Sequence, residues 1–198
     1  MKHWKRILAA LAVTSAAVVL PASPASAYAT FGCQFTTGTL KWQDSTTTSG
    51  YAAAAENAVD AWNSTSTQFN MNEVTSGANI RVANGNFGAT WQGSQFVGIT
   101  LDTSQQNPVT NSCSGGTWDT TMVTWWNDYY TQDYSAAKRQ AIMVHELGHA
   151  LGLAHTAASS SSSCSSVSIM DRAIDGWYDV CGFWTPRQDD INGANALY

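Results

Sequence analysis

Apolar and polar residues alternate over residues 39–44, with Leu40 and Trp42 set against Lys41 and Gln43. That period of two predicts a strand. A polar linker follows over residues 45–50. From 51 to 62 the period lengthens: Ala54, Ala58, Ala61 and Trp62 recur at helical spacing, which predicts a helix. Residues 69–74 and 79–83 read as short strands, Gly85, Gly88 and Gly93 mark loops, and 96–101 reads as another strand. Residues 107–118 are turn-rich, and 121–127 form a further strand. A helix is expected from about 136 to 151, capped by Asp133 or Ser135. The stretch 157–168 is a serine-rich loop around Cys164. A last helix should run to about residue 197, with Thr185 as cap, Pro186 in the first turn and Gln188 completing a capping box. The order implies an α+β domain, with one mixed sheet, helices packed on it and a site beneath the sheet edge.

The amino-terminal pattern is different. Lys2, Lys5 and Arg6 precede an apolar run over residues 7–20, then Pro21, Pro24 and Ala25-Ser26-Ala27. This is the pattern of a cleaved secretory signal, too short for a comfortable membrane span. Residues 1–27 are thus expected to be removed, leaving one domain over 28–198, with no membrane association in the mature form. Those first residues hold three of the nine Lys and Arg and none of the 14 Asp and Glu, so the remainder carries a net charge of −8. No basic patch is available, which argues against a nucleic-acid partner. Secretion also gives the four cysteines an oxidising environment. Cys33, Cys113, Cys164 and Cys181 read as two disulfides with three connectivities open. The assignment favoured is Cys164 with Cys181, closing a loop around Met170, and Cys33 with Cys113.

The chemistry concentrates in residues 145–155, which read H-E-x-x-H-x-x-G-x-x-H. On a helix, positions four apart share a face, so His145 and His149 can aim at one point. Neutral imidazole ligates zinc, and Glu146 can reach a water at the same metal. Gly152 stands where the helix must end, since glycine tolerates the left-handed backbone of a sharp exit. That exit returns His155 as a third ligand. Three protein ligands leave one position of a tetrahedral zinc open, as catalysis requires. The chain has four histidines, and the fourth, His3, lies in the expected signal.

This motif resembles that of the metzincin zinc peptidases, and within them the matrixins. Ser168-Ile169-Met170 resembles their Met-turn, in which a methionine packs beneath the imidazoles, and Asp189-Asp190-Ile191-Asn192-Gly193 with Leu197-Tyr198 resembles their closing helix. The resemblance implies one mixed twisted sheet with two long helices above a zinc cleft. An upper part reaches to about 152, and a small C-terminal subdomain begins near 153 and ends in a helix. It also implies one catalytic zinc, a protein or peptide substrate, and a monomer. Four departures stand out. Few residues separate Tyr28 from the first strand, and Gly32-Cys33 lacks the usual switch sequence of a pro-segment. No further histidines are available for a structural zinc. Arg172 occupies the place where some metzincins have a tyrosine ligand. The serine-rich loop before Met170 is long. Calcium is compatible with loop carboxylates such as Asp102, Asp119 and Asp171, although no calcium motif is present.

The expected activity is endopeptidase hydrolysis with Glu146 as general base. The strand at 96–101 is a candidate to pair with an extended peptide. Two other classes compete: a secreted binding protein that has lost catalysis, and a carbohydrate-binding module suggested by nine tryptophans.

Overall fold

A computed structural model describes residues 28–156 and 163–198, so the expected signal peptide and residues 157–162 of the serine-rich loop lie outside the described residues. The elements are β1 (Ala29–Thr30), β2 (Thr39–Ser45), α1 (Ser49–Asn63), β3 (Asn70–Glu73), β4 (Ile80–Gly85), β5 (Gly98–Asp102), α2 (Pro108–Asn111), β6 (Cys113–Ser114), β7 (Thr117–Trp118), β8 (Met122–Asn127), α3 (Asp128–Thr131), α4 (Ala136–Ala150), β9 (Leu153–Ala154), α5 (Ile174–Cys181) and α6 (Gln188–Leu197). Five strands form one sheet in the order β3-β2-β4-β8-β5. Four of them run parallel, and β5 alone lies antiparallel, against β8 at the sheet edge. The mixed α+β architecture expected from the sequence is the one observed.

Helices α1 and α4 pack against one another, and α4 also lies on β8 and β5. Ala54, Ala55 and Ala58 are fully buried on α1, and such small side chains let two helix axes approach closely. Between helices and sheet lies one core that includes Leu40, Trp42, Ile80, Val82, Trp126 and Ile142. Trp42, Trp62, Trp118 and Trp126 are buried in it, so these four are core side chains and not a sugar-stacking surface. Replacing one such tryptophan by alanine typically costs about 3–5 kcal/mol.

Disulfides join Cys33 to Cys113 and Cys164 to Cys181. The structure differs from the sequence expectation in several places, the short elements α2, α3, β6 and β7 among them. Helix α5 was not anticipated; it follows Met170 and ends at Gly182 in a left-handed cap. The two-residue strands β1 and β9 pair antiparallel, which a periodicity argument cannot detect. The last helix begins at Gln188 with Arg187 as its cap residue, not Thr185. The Arg187 N–H donates to Asp190 at 2.8 Å, so the reciprocal partner is Asp190 and not Gln188. Among the described residues no helix is long and apolar enough to cross a membrane.

Candidate metal centre and cleft

Helix α4 carries the centre. Its cap is Ser135, whose hydroxyl accepts the Lys138 N–H at 3.2 Å, satisfying one of the donors a helix start leaves open. Three indoles then fix the helix from outside. Trp126 donates to the Arg139 carbonyl at 2.9 Å, Trp62 to Val144 at 3.0 Å and Trp118 to Ala150 at 3.0 Å. One turn apart on the buried face stand His145 and His149. After Ala150 the chain must reverse, and Gly152 does so at φ +106°. A side chain there would meet two obstacles: the left-handed backbone and the Cys33 carbonyl, into which a Cβ would collide. The Phe31 N–H holds the Gly152 carbonyl at 2.8 Å, and β1 pairs with β9 just beyond. The reversal delivers His155.

The three imidazoles converge. Nε2 of His155 lies 3.2 Å from Nε2 of His145 and 3.1 Å from Nε2 of His149. Two backbone carbonyls orient the rings: His145 Nδ1 lies 2.7 Å from the Ile169 carbonyl, and His149 Nδ1 lies 2.8 Å from that of Leu153. A carbonyl only accepts, so in both rings Nδ1 carries the proton and Nε2 presents its lone pair. Burial pushes His145 down to about 3 and His149 well below the ordinary histidine value, so both are neutral at physiological pH. His155 is lowered by burial first and by the Arg172 charge second. Lone pairs facing one another repel unless a cation lies between them. Tetrahedral ligands about 2.0–2.1 Å from a shared ion would stand about 3.3 Å apart, close to the separations found. These residues therefore fit a metal ion, and they are the one such group of histidine, cysteine or carboxylate side chains among the described residues.

Beneath the helix, Met170 is buried against Gly148, where a Cβ would collide with its sulfur. The strand of chain bearing Met170 is held from α6. The Asp190 carboxylate accepts the Ser168 hydroxyl and the Ile169 N–H, the latter at 3.1 Å. Glu146 is 4% exposed, and burial pushes its carboxyl up to about 8 against the opposing effect of the Thr100 hydroxyl. It faces a cleft of about 620 Å³ bounded by β5, its flanking segments 91–97 and 105–111, the imidazoles, Phe31, Arg172 and Ile174. Of the loop carboxylates considered for calcium, Asp102 instead accepts the Ser104 and Gln106 N–H groups and the Ser112 hydroxyl. Sequence reasoning missed Ile169, Leu153, Thr100 and Asp190 as partners of the centre. Each acts through a contact distant in sequence or through its backbone, and none leaves a local pattern.

The chain is similar in fold to two solved structures of myroilysin. One shares 16% identity with a TM-score of 0.51, covering 83% of this chain and 82% of that one. The other shares 18% identity with a TM-score of 0.49, covering 90% of this chain and 97% of that one. No curated protein matches the chain. The Matrixin family model matches residues 33–198, which include α1, the whole sheet and every residue of the centre. The chain therefore belongs to the matrixin family of metallopeptidases.

Proposed function

We propose that this chain is a secreted zinc-dependent endopeptidase, with residues 28–198 as one catalytic domain released from the signal at 1–27. The observation that carries the reading is the convergence of three Nε2 atoms beside a buried glutamate in an open cleft. His145, His149 and His155 would hold the ion, with Met170 packed beneath them. When bound, zinc supplies Lewis acidity, polarising a substrate carbonyl and acidifying water in the cleft. Glu146 takes the proton from the attacking water and later delivers it to the leaving amine. A carboxyl raised by burial suits this exchange, and a nearby cation would draw it back toward ionisation. Among the described residues, strand β5 has one neighbour, β8, so its other edge offers N–H and C=O groups to an extended peptide bordering the same cleft. Secretion is supported by the amino-terminal sequence and by the two disulfides.

The test is cleavage of casein and of a quenched peptide by the purified mature chain. Activity should vanish on chelation and return with stoichiometric zinc. A protein that binds zinc and cleaves neither substrate would overturn the proposal in favour of a binding protein on this fold.

A further inference from the structure

Burying a carboxylate is costly unless a donor meets it. Among the described residues, one side chain donates to the Glu146 carboxylate. Thr100 Oγ1, on β5, lies 2.9 Å from Glu146 Oε2 and 2.9 Å from the Glu146 backbone carbonyl. Both acceptors belong to the same residue. The hydroxyl has one hydrogen, shared between these two acceptors, and so ties the end of a side chain with several free torsions to the helix it leaves. Gly98, two positions earlier on the same face of the strand, completes the arrangement. A Cβ built there would lie 2.7 Å from Glu146 Oε1 and 2.8 Å from its Cγ, so the glutamate fills the space of a missing methyl group. The edge strand is therefore shaped to the glutamate twice, by a donor and by a gap.

We infer that Thr100 is a positioning residue: with the gap at Gly98, its hydroxyl holds the Glu146 carboxylate against β5 in the orientation from which it takes a proton in the cleft. The inference rests on the reading of Glu146 as general base. A threonine in a strand otherwise reads as an ordinary β-former.

The experiment compares Thr100→Val, which keeps the shape and removes the donor, with Thr100→Ser, which keeps the donor. Zinc-loaded mature protein is assayed for kcat, KM and zinc content. A hydrogen bond to a charged group sets the scale: Thr100→Val should lower kcat by roughly tenfold to a hundredfold, with KM and zinc content within about twofold, and Thr100→Ser should stay within about threefold of wild type. A second arm needs no activity. In the metal-free protein, the melting-temperature loss from Thr100→Val should be smaller in a Glu146→Ala background, because the bond to the carboxylate is already gone and only the one to the backbone carbonyl is left to lose. Unchanged kcat in Thr100→Val, an equal loss in Thr100→Ser, or additive melting losses would each overturn the inference. Failure of the general-base reading shows separately, as activity retained by Glu146→Gln, and leaves the metal-free cycle intact as a test of the contact.

Discussion

Asp190 and His145 are linked through one residue: the Asp190 carboxylate accepts the Ile169 N–H at 3.1 Å, and the Ile169 carbonyl lies 2.7 Å from His145 Nδ1. The orientation of an imidazole in α4 therefore depends on a carboxylate in α6. Asp190→Ala would leave the Ile169 and Arg187 N–H groups and the Ser168 hydroxyl without their buried acceptor. The expected cost is about 3 kcal/mol of stability, a fall in melting temperature on the order of 10 °C, and weaker zinc binding. Calorimetry and a competitive zinc titration check both effects. Unchanged zinc affinity would break the proposed link to His145.

Chemistry and metal holding should separate by residue. Glu146→Gln is expected to lose about 10²–10⁴-fold in peptide hydrolysis while keeping its zinc and its melting temperature, because glutamine preserves shape but takes no proton. His149→Ala should lose both metal and activity. Metal analysis beside a quenched-peptide assay distinguishes the two, and more than about a tenth of wild-type activity in Glu146→Gln would rule out the base assignment.

The metal-free protein should show a stability maximum near pH 6.5. His145 titrates near 6.5 when unfolded and at about 3 when folded, so the unfolded chain binds the extra proton in that window and stability rises with pH across it. His149 acts in the same direction. Glu146 acts oppositely: its ordinary value is 4.5 and its folded value about 8, so the folded chain holds the extra proton and stability falls as pH rises. Each group contributes at most about 1.4 kcal/mol per pH unit. Below 6.5 the histidines outweigh the glutamate; above it only the glutamate remains. Melting curves of the chelated protein from pH 4 to 9 measure this, and Glu146→Gln should abolish the alkaline decline.

Removing the Cys164–Cys181 bridge should destabilise by roughly 3 kcal/mol in the chain-entropy view, since it closes a 17-residue separation around Met170. The double serine variant is expected to melt lower and to be cut more readily by trypsin at Arg172, which is exposed. Equal proteolysis rates would show that packing alone holds this segment.

The sequence displayed the three converging histidines because all three lie within 11 residues, where helical period and one glycine set their geometry. Strands β2, β4 and β8 were legible for a similar reason, since their apolar runs are local. What orients the centre was not legible. His145 depends on Ile169, Glu146 on Thr100 and the Met170 segment on Asp190, and those partners are ordinary strand, core and helix residues until the fold brings them together. The α6 cap shows the same limit. Thr185 to Gln188 fits a capping pattern, yet Asp190 caps the helix because that carboxylate is already buried against Ser168 and Ile169. Helix α5 was missed because it is only eight residues long, with Gly176 in its first turn and a disulfide at its end.

The three tryptophans that bond to α4 have a practical consequence. Their indoles grip carbonyls spread along the whole helix, so α4 cannot roll or slide by one residue without breaking all three. The shaft carrying the histidines is thus locked from the core side. The segments 91–97 and 105–111, by contrast, border the cleft without supplying any of the three histidines. Peptide preference could then be rebuilt in those segments by mutagenesis, while the machinery on α4 is left untouched.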